Sequence, residues 1–189
     1  MWTSFSRSLR QCYNKIMTKK FLITIVGWSG AGKTTLAREL AKKHDFANIS
    51  EDYFVFDMNP RSLIKRTARD VDRKIGMENM LLVLDNYMKN NKSIVVEGAL
   101  VDGPVYLCDF EQIAKEHEYN FVSIMITADK KTRRNRKKKK GGHVISSGLD
   151  RRLIKMAKTL GYTKIDNVID TTSLSVKKSL SIIERIILN

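Results

Sequence analysis

The sequence predicts a three-layer α/β sandwich around a mainly parallel, five-stranded sheet. Three observations lead there. Short β-branched apolar runs recur along the chain and alternate with stretches of good helix formers. Several of these runs are continuous rather than alternating, as in strands buried on both faces. A glycine-rich turn joins the first run directly to the first helical stretch.

The elements follow in order. FLITIV (21–26) is a buried strand, and after the glycine turn TTLARELAKKH reads as helix. ANIS (47–50) is a short second strand that ends at Glu51 and Asp52. Asn59-Pro60 reads as a helix opening, with Asn as the cap and Pro at the first helical position. Helical material then runs to about residue 91, with an interruption expected near Gly76. SIVVE (93–97) is the third strand, residues 106–118 read as helix, and FVSIMI (121–126) is the fourth strand. The basic run KKTRRNRKKKKGG (130–142) comes next, expected to be a lid spanning about residues 130–143. Residues 149–159 read as helix, KIDNVID (164–170) as the fifth strand, and SVKKSLSIIERII as a closing amphipathic helix. In such sheets ligands bind beyond the carboxyl ends of the strands. Those ends are Gly27, Asp52, Glu97 and the start of the basic run.

A length of 189 residues fits one domain, here residues 21–189 behind a basic extension at 1–20. With 35 basic and 20 acidic residues, the net charge is +15. Five of the cations fall in the first twenty residues and nine in residues 130–140, with no acid in either stretch. Removing these fourteen leaves 21 cations against 20 acids, so the excess is two local features on a neutral body. Two cysteines, Cys12 and Cys108, make no disulfide framework and fit a reducing compartment, the cytoplasm. Cys108 reads as core rather than nucleophile. No apolar stretch reaches the roughly 18–20 residues that span a bilayer, so no membrane association is expected. The acid-free opening MWTSFSRSLRQCYNKIM has the look of an organelle transit peptide. The other reading is an upstream start, with Met17 as the true beginning.

The chemistry is concentrated at the strand ends. GWSGAGKT (27–34) matches G-x-x-x-x-G-K-[ST] between a buried strand and a helix, where that motif cradles phosphates. Gly27, Gly30 and Gly32 let the backbone curl so that N–H groups face phosphate oxygens. The ATP-binding set is therefore Gly27, Ser29, Gly30, Ala31, Gly32, Lys33, Thr34 and Thr35, with Lys33 reaching the β- and γ-phosphates and Thr34 holding Mg²⁺. Asp52 is the candidate general base for an attacking hydroxyl, with Glu51 its nearest competitor. Glu97 is the second candidate metal residue, an acid that orders Mg²⁺ and its waters, with contact to the acceptor as another role. Arg61, Lys65 and Arg69 continue to Arg73 at four-residue spacing, with Arg66 alongside, and are candidate acceptor-binding cations. A solvated face neutralised by Asp70 and Asp72 is the plainer alternative. His44, His117 and His143 are too scattered for a metal site. Met77, Met80, Leu81 and Leu84 have the spacing of core contacts on a helix.

Over residues 20–187 the layout resembles P-loop kinases of the nucleoside-monophosphate-kinase-like group. It is most similar to the kinase domain of polynucleotide 5′-hydroxyl kinases and to related AAA-type phage kinases. GWSGAGKTT resembles their phosphate loop, and NISEDYF the segment whose catalytic aspartate falls on Asp52. EQIAKEHEYNFVSIMI resembles their helix and fourth strand, RNRKK their lid signature R-N-x-x-R, and HVISSGLDRRLIKM the helix after the lid. The resemblance implies an ATP- and Mg²⁺-dependent phosphotransferase in which Arg134, Arg136 and Lys138 stabilise the transferred phosphoryl group. Two positions depart from the pattern. Lys138 replaces the last lid arginine, a point charge for a bidentate fork. Val55 stands where polynucleotide kinases carry an arginine for the substrate phosphate.

Three acceptor classes stay open. A nucleic-acid hydroxyl, at a 5′ end or on a modified base, is the leading expectation because the excess charge is local. A free nucleoside or small metabolite is the alternative, since ISEDYF and IVVEG also resemble the S-x-D and I-x-E-G segments of uridine and nicotinamide riboside kinases. A non-catalytic P-loop ATPase that binds nucleic acid is the third.

Overall fold

The computed structural model describes residues 19–57, 70–98, 103–139 and 167–188. The expected transit segment, the Asn59-Pro60 opening, Arg61, Lys65, Arg66 and Arg69, and the helix at 149–159 lie outside them.

Five strands form one sheet: β1 (Phe21–Gly27), β2 (Ala47–Ser50), β3 (Ile94–Glu97), β4 (Asn120–Thr127) and β5 (Asn167–Asp170). Their order is β2-β3-β1-β4-β5, and every neighbouring pair is parallel. This is the expected fold class. All seven residues of the central strand β1 are buried, which is why FLITIVG is continuously apolar rather than alternating. Its one internal hydroxyl, on Thr24, donates to Ser123 Oγ of β4 at 2.9 Å. A buried polar group is thereby satisfied within the sheet.

The helices are α1 (Lys33–His44), α2 (Asp70–Lys89), α3 (Gly103–Glu116), α4 (Lys130–Lys139) and α5 (Val176–Leu188). All but α4, which buries no residue, divide between two cores. Leu22 and Val26 of β1 join Met77, Met80 and Leu84 of α2 and Phe110 of α3 on one face. Phe21, Ile23 and Ile25 join Leu36 and Leu40 of α1 and Ile183 of α5 on the other. The alternation of β1 side chains thus makes three layers.

Two local expectations change. The helix does not break at Gly76, because α2 runs through it without interruption. Cys108 is exposed rather than core, because the turn of α3 gives the buried positions to Leu107 and Phe110. The basic run itself is helical over residues 130–139. Asp129 caps it, accepting bonds from the Thr132 amide at 2.8 Å and the Thr132 hydroxyl at 2.6 Å. These bonds hold the Asp129 carboxyl below the usual carboxylate range.

Candidate active site

The carboxyl ends of β1, β2, β3 and β4 put Gly27, Ser50, Glu97 and Thr127 along one edge of the sheet. The glycines shape the loop that begins there. Gly27 lies opposite Ile126 of β4 with φ +130°, and a Cβ there would strike the Ile126 carbonyl. Gly30 and Gly32 also have positive φ, 81° and 113°, conformations that side chains disfavour. Ala31 N–H donates to the Trp28 carbonyl at 3.1 Å, closing the turn. The loop then feeds α1, whose N-terminus carries partial positive charge.

Lys33 opens α1 and curls back, its Nζ donating to the Trp28 carbonyl at 3.3 Å. Burial pushes its pKa down. Glu97, Asp52 and Glu51 pull against that shift, and Arg133 adds to it. Three acids from two strand ends therefore face this ammonium. Beside it, Thr34 Oγ1 donates to Glu97 Oε2 at 3.1 Å, and Ser50 Oγ donates to Glu97 Oε1 at 2.9 Å. Glu97 is only 5% exposed. A hydroxyl and a buried carboxylate side by side are hard oxygen donors, which suits Mg²⁺. That ion is usually held by one or two carboxylates, with water and phosphate filling the rest. No group of three His, Cys, Asp or Glu capable of holding a metal occurs among the described residues.

The two adjacent acids after β2 part company. Glu51 is 6% exposed, while Asp52 is exposed. Glu51 lies against Gly98, where a Cβ would overlap its side chain. The chain then passes into one wide π-helical turn, Tyr53–Asp57.

The basic helix is fastened to the phosphate loop. Gly30 is packed so closely on α4 that a Cβ would meet the Arg133 carbonyl at 2.8 Å. The Arg133 guanidinium sits 5.3 Å from the centre of the Trp28 ring, within cation–π range, and its Nε donates to the Ala128 carbonyl at 3.1 Å. Arg136 donates to the Ala31 carbonyl at 3.0 Å, to Thr171 Oγ1 at 3.0 Å and to the Thr171 carbonyl at 2.6 Å. Thr171 is buried, and its hydroxyl lies 2.8 Å from the Ala31 carbonyl and 3.0 Å from that of Thr127. Of the expected lid residues, Arg136 is thus bonded to loop backbone, whereas Arg134 and Lys138 are exposed. Ser50 and Thr171 escaped the sequence reading. Ser50 had a signal in the S-x-D pattern, whereas a lone threonine after the last strand has none.

Residues 22–161 match the family model described as an AAA domain. The chain belongs to that family. Among curated relatives, a uridine kinase of Clostridium botulinum (strain Okra / Type B1) is 30% identical over 105 residues, 54% of this chain and 47% of that protein. A uridine kinase of Staphylococcus aureus (strain JH9) is 32% identical over 79 residues, 40% of this chain and 38% of that protein. The chain thus spans less than half of the length of these curated relatives. Among solved structures, a gluconokinase from Sinorhizobium meliloti 1021 superposes with a TM-score of 0.64 at 17% identity, covering 89% of this chain and 90% of that one. Shikimate kinase from Acinetobacter baumannii gives 0.58 at 17% identity, covering 89% and 93%. These two similarities establish the shared fold of this AAA-domain chain.

Proposed function

We propose that this domain transfers the γ-phosphoryl group of ATP to a hydroxyl of a small molecule, a nucleoside or another metabolite. One observation carries the reading: Asp52 is exposed just beyond β2 and close enough to the phosphate-loop ammonium of Lys33 to oppose the fall in pKa that burial causes. A base placed there meets an acceptor on the open side of the loop. The uridine kinases similar over part of the chain weigh toward a small acceptor over the nucleic acid that the charge pattern suggested.

The geometry supports the following roles. The loop amides and Lys33 hold the donor phosphates. Thr34 and Glu97 hold Mg²⁺, which neutralises phosphate charge when bound. Asp52 accepts the proton of the acceptor hydroxyl as its oxygen bonds to the γ-phosphorus. The bond from that phosphorus to the bridging oxygen breaks, and ADP leaves with the electron pair. Arg134 and Lys138, exposed on α4, are available to the transferred group. Arg136 holds the loop, a role that also serves the phosphates.

The test is transfer of label from γ-labelled ATP to a nucleoside and sugar mixture, to 5′-hydroxyl oligonucleotides and to hydroxymethylated DNA. Label on a nucleoside or sugar supports the proposal, and label confined to polynucleotide overturns it. The nucleic-acid reading retains one specific observation, the exposed cations Lys130, Lys131, Arg134, Lys138 and Lys139 on α4. It requires acceptor binding that weakens steeply with salt, whereas a neutral nucleoside is almost insensitive.

A further inference from the structure

Gly76 sits in the interior of α2, six residues from its start, and is buried. Glycine there weakens a helix relative to alanine, so its presence calls for a packing reason. The reason is on the neighbouring turn. A Cβ on Gly76 would lie 2.6 Å from the Phe54 carbonyl oxygen, 3.0 Å from its carbon and 3.2 Å from Val55 Cα. All three atoms are backbone, so no side-chain rotation relieves the overlap. The turn in contact is the π-helical Tyr53–Asp57, which follows Asp52 directly. Val55 anchors the same turn, 1% exposed in the core beside Met77 and Met80 of α2. At the other side of Asp52, Glu51 packs on Gly98, just beyond β3. Asp52 and Tyr53 are thus the exposed residues of a segment seated on glycine at both sides.

We infer that Gly76 is a positioning residue for Asp52: its missing side chain lets the wide turn dock on α2 at the depth that aims the base. The inference rests on the kinase reading above. A Cβ at Gly76 must push Phe54 outward, and the shift passes to Asp52 two residues away. Gly98 is constrained as well, because a Cβ there would meet Glu51 Cβ, which is fixed to the backbone, at 2.6 Å as well as the carboxylate. Wide single turns of this kind recur at functional sites.

The experiment compares Gly76→Ala, Asp52→Asn and the double variant with the full-length protein, measuring kcat, the ATP Kd and amide exchange over residues 52–57. A misplacement of about 1 Å costs on the order of 100-fold in rate. Gly76→Ala is therefore expected to lower kcat by about 10- to 100-fold, with ATP affinity within twofold and faster exchange in the turn. Because it acts through Asp52, it should add almost nothing to Asp52→Asn. Unchanged kcat and exchange would overturn the inference, as would loss of ATP binding, or a full additive loss in the double variant. A wild-type protein that labels no acceptor sinks the kinase reading instead. The exchange comparison still decides whether Gly76 holds the turn.

Discussion

The Thr34 hydroxyl and the Glu97 carboxylate meet at 3.1 Å across 63 positions of sequence, and Ser50 binds the other carboxylate oxygen. Glu97→Gln keeps the shape but removes the negative charge and replaces one acceptor oxygen with an amide NH2. The Mg²⁺ concentration for half-maximal turnover is expected to rise by about 10-fold or more, judging from what second-shell changes alone do to metal sites. A Mg²⁺ titration of turnover checks it, and an unchanged midpoint removes Glu97 from the metal site.

Lys33→Met should act in opposite directions on activity and stability. Transfer should fall by at least about 100-fold, the usual loss on removing one charge-stabilising donor. Without nucleotide the same variant should melt at a higher temperature than wild type, because burial disfavours the ammonium it removes. The folded-state pKa of Lys33 lies below 10.5, so the unfolded chain binds the proton more tightly. The penalty is complete below the folded pKa and is relieved as pH rises from there through 10.5. The melting-temperature gap between variant and wild type should close over that window.

Asp52→Asn should reduce kcat by about 10²–10⁴-fold, the range for a general base, while the ATP Kd stays within a few-fold. Glu51→Gln alters a buried acid facing Gly98 and should instead lower stability more than turnover per folded molecule. Kinetics combined with thermal melts separates the two acids, and the reverse pattern would exchange their roles.

Thr171→Val removes a buried hydroxyl placed between the Ala31 and Thr127 carbonyls and the Arg136 guanidinium. The expected loss is about 1–3 kcal/mol, the cost of leaving buried partners unsatisfied, read from urea melts. Arg136→Met should be less than additive with it, because both side chains serve the Ala31 carbonyl.

The strands and the phosphate loop were legible because each signal is local: β-branched runs, three glycines, and a lysine and threonine at fixed spacing. Gly76 misled because its penalty is local while its purpose is tertiary. Nothing in α2 itself reveals that the Phe54 carbonyl needs that space. Cys108 misled because one helical position decides between core and solvent, and composition does not fix the phase. The acceptor class is not legible in the basic run for a related reason. Counting charges does not show that Arg133 lies over an indole or that Arg136 is bound to loop carbonyls. Thr171 needed the fold itself, since its partners come from the phosphate loop, the end of β4 and α4.

The Trp28 ring under the Arg133 guanidinium has an optical consequence. The chain holds two tryptophans, and this one belongs to the phosphate loop while its cationic neighbour belongs to the helix after β4. Its fluorescence is therefore a built-in gauge of the spacing between those two elements. In a Trp2→Phe background, nucleotide titrations can be followed by emission alone, without a label on either molecule.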